Sequence, residues 1–209
     1  MASKQNCPDL KIHDDCMENS VKEKYLGDYI TKTGTTKATI EERKSKGYAI
    51  VADIMAILKD IPLGEHKMEI GLMLRQAMLI NGILFNSEAW HDVSVEDIKV
   101  LETIDEHLLR SLVQGHSKAP LEFLYLEAGA IPIRFIVSCR RLLYLQTILK
   151  RPDNELTKRI LMAQNNSPSP GDFVNLFLED VKNIDEQEEY TDTEAMSIGV
   201  FTVHGSYQE

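Results

Sequence analysis

Three potential metal ligands, Cys7, His13 and Cys16, stand within ten residues of one another near the N-terminus. Their spacing matches no zinc pattern and no fourth ligand is evident, so structural roles are the better reading and no metal site is assigned. Asp14 and Asp15 are adjacent carboxylates, but neighbours on a strand point to opposite faces and cannot both grip one Mg²⁺; a turn pair fits them better. His66, His91, His107 and His116 have no acid or nucleophile partner at a useful spacing. A phosphate-cradling glycine loop, Gly-x-Ser-x-Gly, His-Glu-x-x-His and Cys-x-x-Cys are all missing. The residues give no nucleophile, base or metal set, and they call for no cofactor. Chemistry of a different kind is offered by cations: Arg43, Lys44 and Lys46 in one group, and Arg134, Arg140 and Arg141 in another. Arginine and lysine clustered on helix faces can meet phosphates, although for each one alone a solvated helix face is an adequate explanation.

The elements that must carry these groups are mostly helical. The 209 residues are 43% hydrophobic and 27% charged, an ordinary globular composition with room for one or two compact domains. The net charge of −10 is uneven: residues 184–209 hold seven acids and no lysine or arginine, so the rest of the chain is near neutral. Three cysteines cannot all pair, and no leader-like stretch opens the chain; the expectation is an intracellular protein, nuclear or cytoplasmic, and not secreted. The most apolar window, Ile70 to Phe85, is broken by Arg75, Gln76 and Asn81, which favours a buried helix over a membrane span.

Residues 9–13 and 24–30 alternate as strands of a small antiparallel hairpin. From Thr39 the period becomes helical. Thr39 with Glu42 forms a capping-box pattern, and Ile40, Gly47, Ile50, Val51, Ile54, Ile57, Leu58 and Ile61 line one face until Pro62, with Arg43, Lys44 and Lys46 opening the outer face. Gly47 implies close approach of a neighbouring helix to the backbone. A second helix over 65–86 is apolar on most sides and belongs at the centre of a bundle. Ser94 with Asp97 caps a third that ends near Gly115, and a short fourth runs from Pro120 to Ala128. Pro132 opens a fifth, with Ile133, Ile136, Val137, Leu143, Tyr144 and Ile148 inward; Leu156, Ile160 and Leu161 mark a sixth, and Ser169 to Asp172 start a seventh. The fold class is therefore mainly α: a helical bundle of about six or seven helices with a small N-terminal β-hairpin and a disordered acidic C-terminal tail. The domain divisions are 1–36 for the hairpin, 37–116 for a first helical bundle, 117–184 for helices packed on it, and 185–209 for the tail.

The order of the pieces carries a resemblance. Cys7-Pro8-Asp9-Leu10-Lys11-Ile12-His13, then Lys24-Tyr25-Leu26-Gly27-Asp28-Tyr29-Ile30, a Thr-Gly turn, Ile40-x-x-Arg43-x-x-x-Gly47, Leu74-Arg75, Leu79 through Trp90, and Leu101-Glu102-x-x-Asp105 resemble the C-terminal portion of a non-LTR (LINE-type) retrotransposon reverse transcriptase, an RNA-directed DNA polymerase. The resemblance covers most of the chain, about Cys7 to Ile184. It implies that Tyr25, Leu26 and Gly27 correspond to a primer grip, that 37–116 is a thumb, and that 117–184 is a connector. It implies partners too: RNA or an RNA–DNA duplex, met through Arg43, Lys44, Lys46, Arg134, Arg140 and Arg141. The aromatic-x-Asp-Asp strand that binds the catalytic metal ions of such a polymerase is absent, so the expectation is a truncated remnant of a transposable element that is not an enzyme on its own. For Trp90 a core anchor is the better reading. The alternative is a stand-alone helical protein-interaction module derived from such an element, with a protein partner; no membrane and no small-molecule cofactor enter either reading.

Overall fold

The computed structural model describes residues 11–12, 15–16, 22–25, 27–32, 35–62, 64–115, 118–169 and 172–188. The chain is mainly helical, with small antiparallel pairs at its start. Lys11–Ile12 (β1) pairs with Asp15–Cys16 (β2), and Lys22–Tyr25 (β3) pairs with Asp28–Thr31 (β4). Residues 24–30 are thus no single strand, as their alternation implied, but a hairpin reversing between Tyr25 and Asp28. Gly27 permits this, since its φ of +96° lies where residues with a Cβ are strained. Cys7, His13, Asp14 and the tail beyond Glu188 lie outside the described residues.

Helix α1 spans Lys37–Leu58. Thr39 does not cap it. The helix begins three residues earlier, behind Thr36, whose backbone N–H and hydroxyl donate to Asp92, and the buried Thr39 instead accepts from the backbone N–H of Tyr29 at 2.9 Å. The expected partner Glu42 is held elsewhere, by Lys24 at 2.5 Å, and this bond raises the pKa of the lysine. Proximity to a β-strand has thus redirected both halves of a local capping pattern. Gly47 behaves as its position implied: a Cβ there would lie 3.1 Å from Ile104 and 3.2 Å from Ile83, so α1 meets two helices backbone-first.

Helix α2 (Glu65–Leu74) passes into a π-helical stretch, Arg75–Ile80, and on into the single turn α3 (Asn81–Ile83). Leu79, Ile80, Ile83 and Leu84 are fully buried with Ile54 and Leu58 of α1 and with Leu101, Ile104 and Leu108 of α4 (Val95–Val113). Trp90, 1% exposed, joins this core after a short 3₁₀ turn, Ser87–Ala89; its indole N–H has no partner, so it acts as apolar filling. Helix α5 (Leu121–Ala128) packs Leu124, Tyr125 and Ala128 against Leu109. Helix α6 spans Ile133–Leu149; Ile133 and Val137 are buried as expected, whereas Leu143 points outward at 63% exposure.

The Ser94 capping box forms in full, with Asp97 N–H donating to Ser94 Oγ at 3.1 Å and Ser94 N–H to the Asp97 carboxylate at the same distance. Ser94→Ala should therefore destabilise the fold by about 1 kcal/mol in urea denaturation, while Ser94→Thr keeps most of the stability. An alanine variant as stable as the parent would show that the cap is idle.

Two compact units divide within α6, at Tyr144 and Leu145. The second holds the end of α6, then α7 (Leu156–Asn166) and α8 (Phe173–Glu188). Leu161 and Phe177 are buried there, and the Phe173 and Phe177 rings stack at 5.9 Å. Asp172, just ahead of α8, accepts from Ser169 N–H at 2.7 Å and from Gln164 of α7 at 3.2 Å. Helix α8 continues past Ile184, where the sequence pattern placed its end. Among the described residues no helix is long and apolar enough to cross a membrane.

Candidate nucleic-acid interface

Ile40, Arg43, Gly47, Val51 and Ile54 share the inward face of α1, so the arginine enters the protein and does not open the outer face. This corrects the sequence expectation for Arg43. At 3% exposure its guanidinium donates to Gly27 O at 2.8 Å, to Asp28 Oδ1 at 2.9 Å and to Gly82 O at 3.4 Å, and it lies 5.7 Å from the centre of the Phe85 ring. Asp28 also accepts from Asn86 Nδ2 at 2.5 Å. Asn86 sits in the left-handed region, φ 60°, a conformation its short polar side chain tolerates. Arg43 is thus a clamp joining the β3–β4 turn, α1 and the end of α3, and it offers nothing to a phosphate.

Around this hub the other expected cations divide. Lys44 and Lys46 are exposed, and Lys46 runs past Gly82, its Cε 3.9 Å from where a Cβ would stand there. Arg140 reaches from α6 to the same segment, donating to Leu84 O and to Asn81 Oδ1 at 3.2 Å, with part of its surface in solvent. Arg134 is exposed and 3.6 Å from Glu102, so its charge is partly answered; Arg141 is half-buried. Of the three grip-like residues, Tyr25 is 62% exposed, Gly27 serves the turn, and Leu26 lies outside the described residues. The structure therefore brings Lys46 and Arg140 to Asn81–Leu84, and leaves Lys44 and Arg134 elsewhere on the surface.

A second polar cluster, missed in the sequence, is sealed in the core. Arg75, first residue of the π-helical stretch, forms a two-pronged ion pair with Asp105 of α4, both bonds 2.6 Å, and donates to Ile131 O at 2.9 Å. Tyr125 of α5 donates to the same carboxylate at 3.0 Å. Burial first, and the Asp105 charge second, push the Tyr125 phenol far above its ordinary value of 10, so it stays a donor at every working pH. Arg75 and Asp105 are both within 5% of full burial, out of reach of any substrate, and their work is to join α2, α4, α5 and the turn before α6. Both residues stand in motifs that carry the resemblance, Leu74-Arg75 and Glu102-x-x-Asp105, and charged residues within two largely apolar helix stripes were the available signal.

Among the described residues no cluster of His, Cys, Asp and Glu is arranged to hold a metal ion. No protein-family model, curated protein or solved structure matches this chain.

Proposed function

We propose that the chain is a thumb-and-connector fragment of a reverse transcriptase of the non-LTR retrotransposon type, which binds RNA–DNA duplex without catalysing its synthesis. The observation that best supports this reading is the Arg43 hub: three separate segments that carry the resemblance meet there, Arg43 itself donating to Gly27, Asp28 and Gly82, with Asn86 joined to it through Asp28. Co-localisation of motif residues is what a retained functional surface would require. The phosphate-binding cations in this reading are Lys46 and Arg140 at Asn81–Leu84, with Lys44 a further exposed cation elsewhere on α1 and Tyr25 at the hairpin edge, and Arg43 becomes a positioning residue.

Phosphate binding releases counterions, so the test is fluorescence anisotropy of a labelled RNA–DNA hybrid at several salt concentrations. With two or three phosphate contacts the affinity should fall roughly tenfold or more between 50 and 200 mM salt. Lys44→Glu/Lys46→Glu, both exposed on α1, should weaken binding and flatten the salt dependence by roughly one contact or more while leaving the circular dichroism unchanged. Affinity indifferent to salt, or absent in a folded sample, would reject the proposal.

Phe123 and Leu126 favour a second reading, a helical protein-interaction module. They stand three apart on α5 and are 50% and 81% exposed, an apolar ridge of the sort a partner helix can cover. This reading requires a partner whose binding is lost in Leu126→Asp and barely changes with salt.

A further inference from the structure

We infer that Phe85 is a stacking platform for an unpaired base next to the duplex, an inference that rests on the reading of this chain as a duplex binder. Ile83 and Leu84 immediately before it are fully buried, yet Phe85 turns outward and is 52% exposed. It is nonetheless held in place. The Arg43 guanidinium lies over the ring, and the β3–β4 turn approaches so closely that a Cβ on Gly27 would stand 3.4 Å from ring atoms Cδ1 and Cε1. The backbone just beyond it is fixed by Asn86, whose amide is bonded to Asp28. The ring is therefore a preorganised aromatic surface.

Its surroundings select the kind of partner. Asn81 and Asn86, four residues before it and one after, are exposed and polar, so among the described residues its neighbours along the chain are either polar and exposed or, like Ile83 and Leu84, buried. Cations stand close by: Arg43 lies over the ring, Lys46 runs past Gly82, and Arg140 donates to Leu84 O and Asn81. The adjacent carboxylate, Asp28, is already engaged by Arg43 and Asn86. A fixed aromatic ring with exposed cations near it is the combination that holds single-stranded nucleic acid, the ring, backed by Arg43, taking a base and Lys46 and Arg140 its phosphates.

The test uses the full chain and two RNA–DNA hybrids, one blunt and one carrying a short single-stranded extension with 2-aminopurine at its first unpaired position. Binding should quench the 2-aminopurine, and the extended hybrid should bind roughly fivefold or more tightly than the blunt one. Phe85→Leu, which keeps apolar contact with Gly27, should abolish both the quench and the preference while the salt-sensitive affinity for blunt hybrid stays unchanged; Phe85→Tyr should retain all three. Quenching and preference that persist in Phe85→Leu, or blunt and extended hybrids bound alike by the parent, would overturn the stacking role and leave duplex binding standing. If the parent binds neither hybrid, duplex binding itself fails and the stacking role with it.

Discussion

Asp105→Asn is expected to cost the fold about 3–5 kcal/mol, a loss large enough to threaten folding at all. The substitution preserves shape but removes the carboxylate charge bonded to Arg75, leaving a guanidinium buried to 4% exposure without its counter-ion. The Coulombic attraction lost is only part of the cost. The larger part is the desolvation of an arginine that was acceptable only while paired. Three apolar replacements made together, Arg75→Met, Asp105→Leu and Tyr125→Phe, should therefore recover more than half of the loss, because they leave no charge stranded and only the Ile131 carbonyl without its donor. Urea denaturation of the single and triple variants decides it. Equal stability of Asp105→Asn and the parent would mean that water reaches the pair. The same cluster links stability to alkaline pH: the phenol pKa of Tyr125 is raised in the fold, so its contribution is complete below the unfolded value of 10 and declines as the pH rises beyond it.

Arg43→Met should have the second largest effect, and a local one. A two-stranded hairpin has little stability of its own. The β3–β4 pair is docked by the Arg43 bonds to Gly27 and Asp28, by the Tyr29–Thr39 bond and by the Lys24–Glu42 pair. Of these the buried charged bonds are the strongest, worth about 1.5–3 kcal/mol each before compensation. Their loss should open the hairpin without unfolding the core, since Met can still fill space against Phe85. In hydrogen exchange, amides in Lys22–Thr31 should lose protection on the order of 100-fold while those of α4 keep theirs. Arg43→Lys should rescue little, because one ammonium cannot span the turn, Asp28 and Gly82 as a planar fork does. Equal losses in the hairpin and in α4 would show that Arg43 supports the whole core rather than clamping the turn, and unchanged protection would show that it supports neither. For nucleic-acid binding the expectation is indirect: the hairpin that carries Tyr25 loses its anchor although Arg43 itself touches no phosphate.

The amino-acid sequence by itself determined the helices of this protein. Apolar spacing is a property of neighbours three and four apart, so α1, α4, α5 and α6 were legible, as was the Ser94–Asp97 cap, whose partners are only three residues apart. Gly47 also announced a close helix contact, because so unfavourable a residue in a helix needs a steric reason, and Ile104 and Ile83 supply it. Only the tertiary structure decided where the charges went. Arg43 read as an outer-face cation although Ile40 and Gly47, three before and four after it, put it on the apolar face, because the acceptors that make its burial tolerable come from residues 27, 28 and 82. Thr39 and Glu42 lost their capping box to Tyr29 and Lys24, which reach them from the hairpin. Arg75 and Asp105 are thirty residues apart, and their pairing depends on how α2 and α4 lie against each other. Backbone periodicity is local and survives in the sequence, whereas the fate of a charged side chain depends on which distant donors and acceptors folding brings within 3 Å of it.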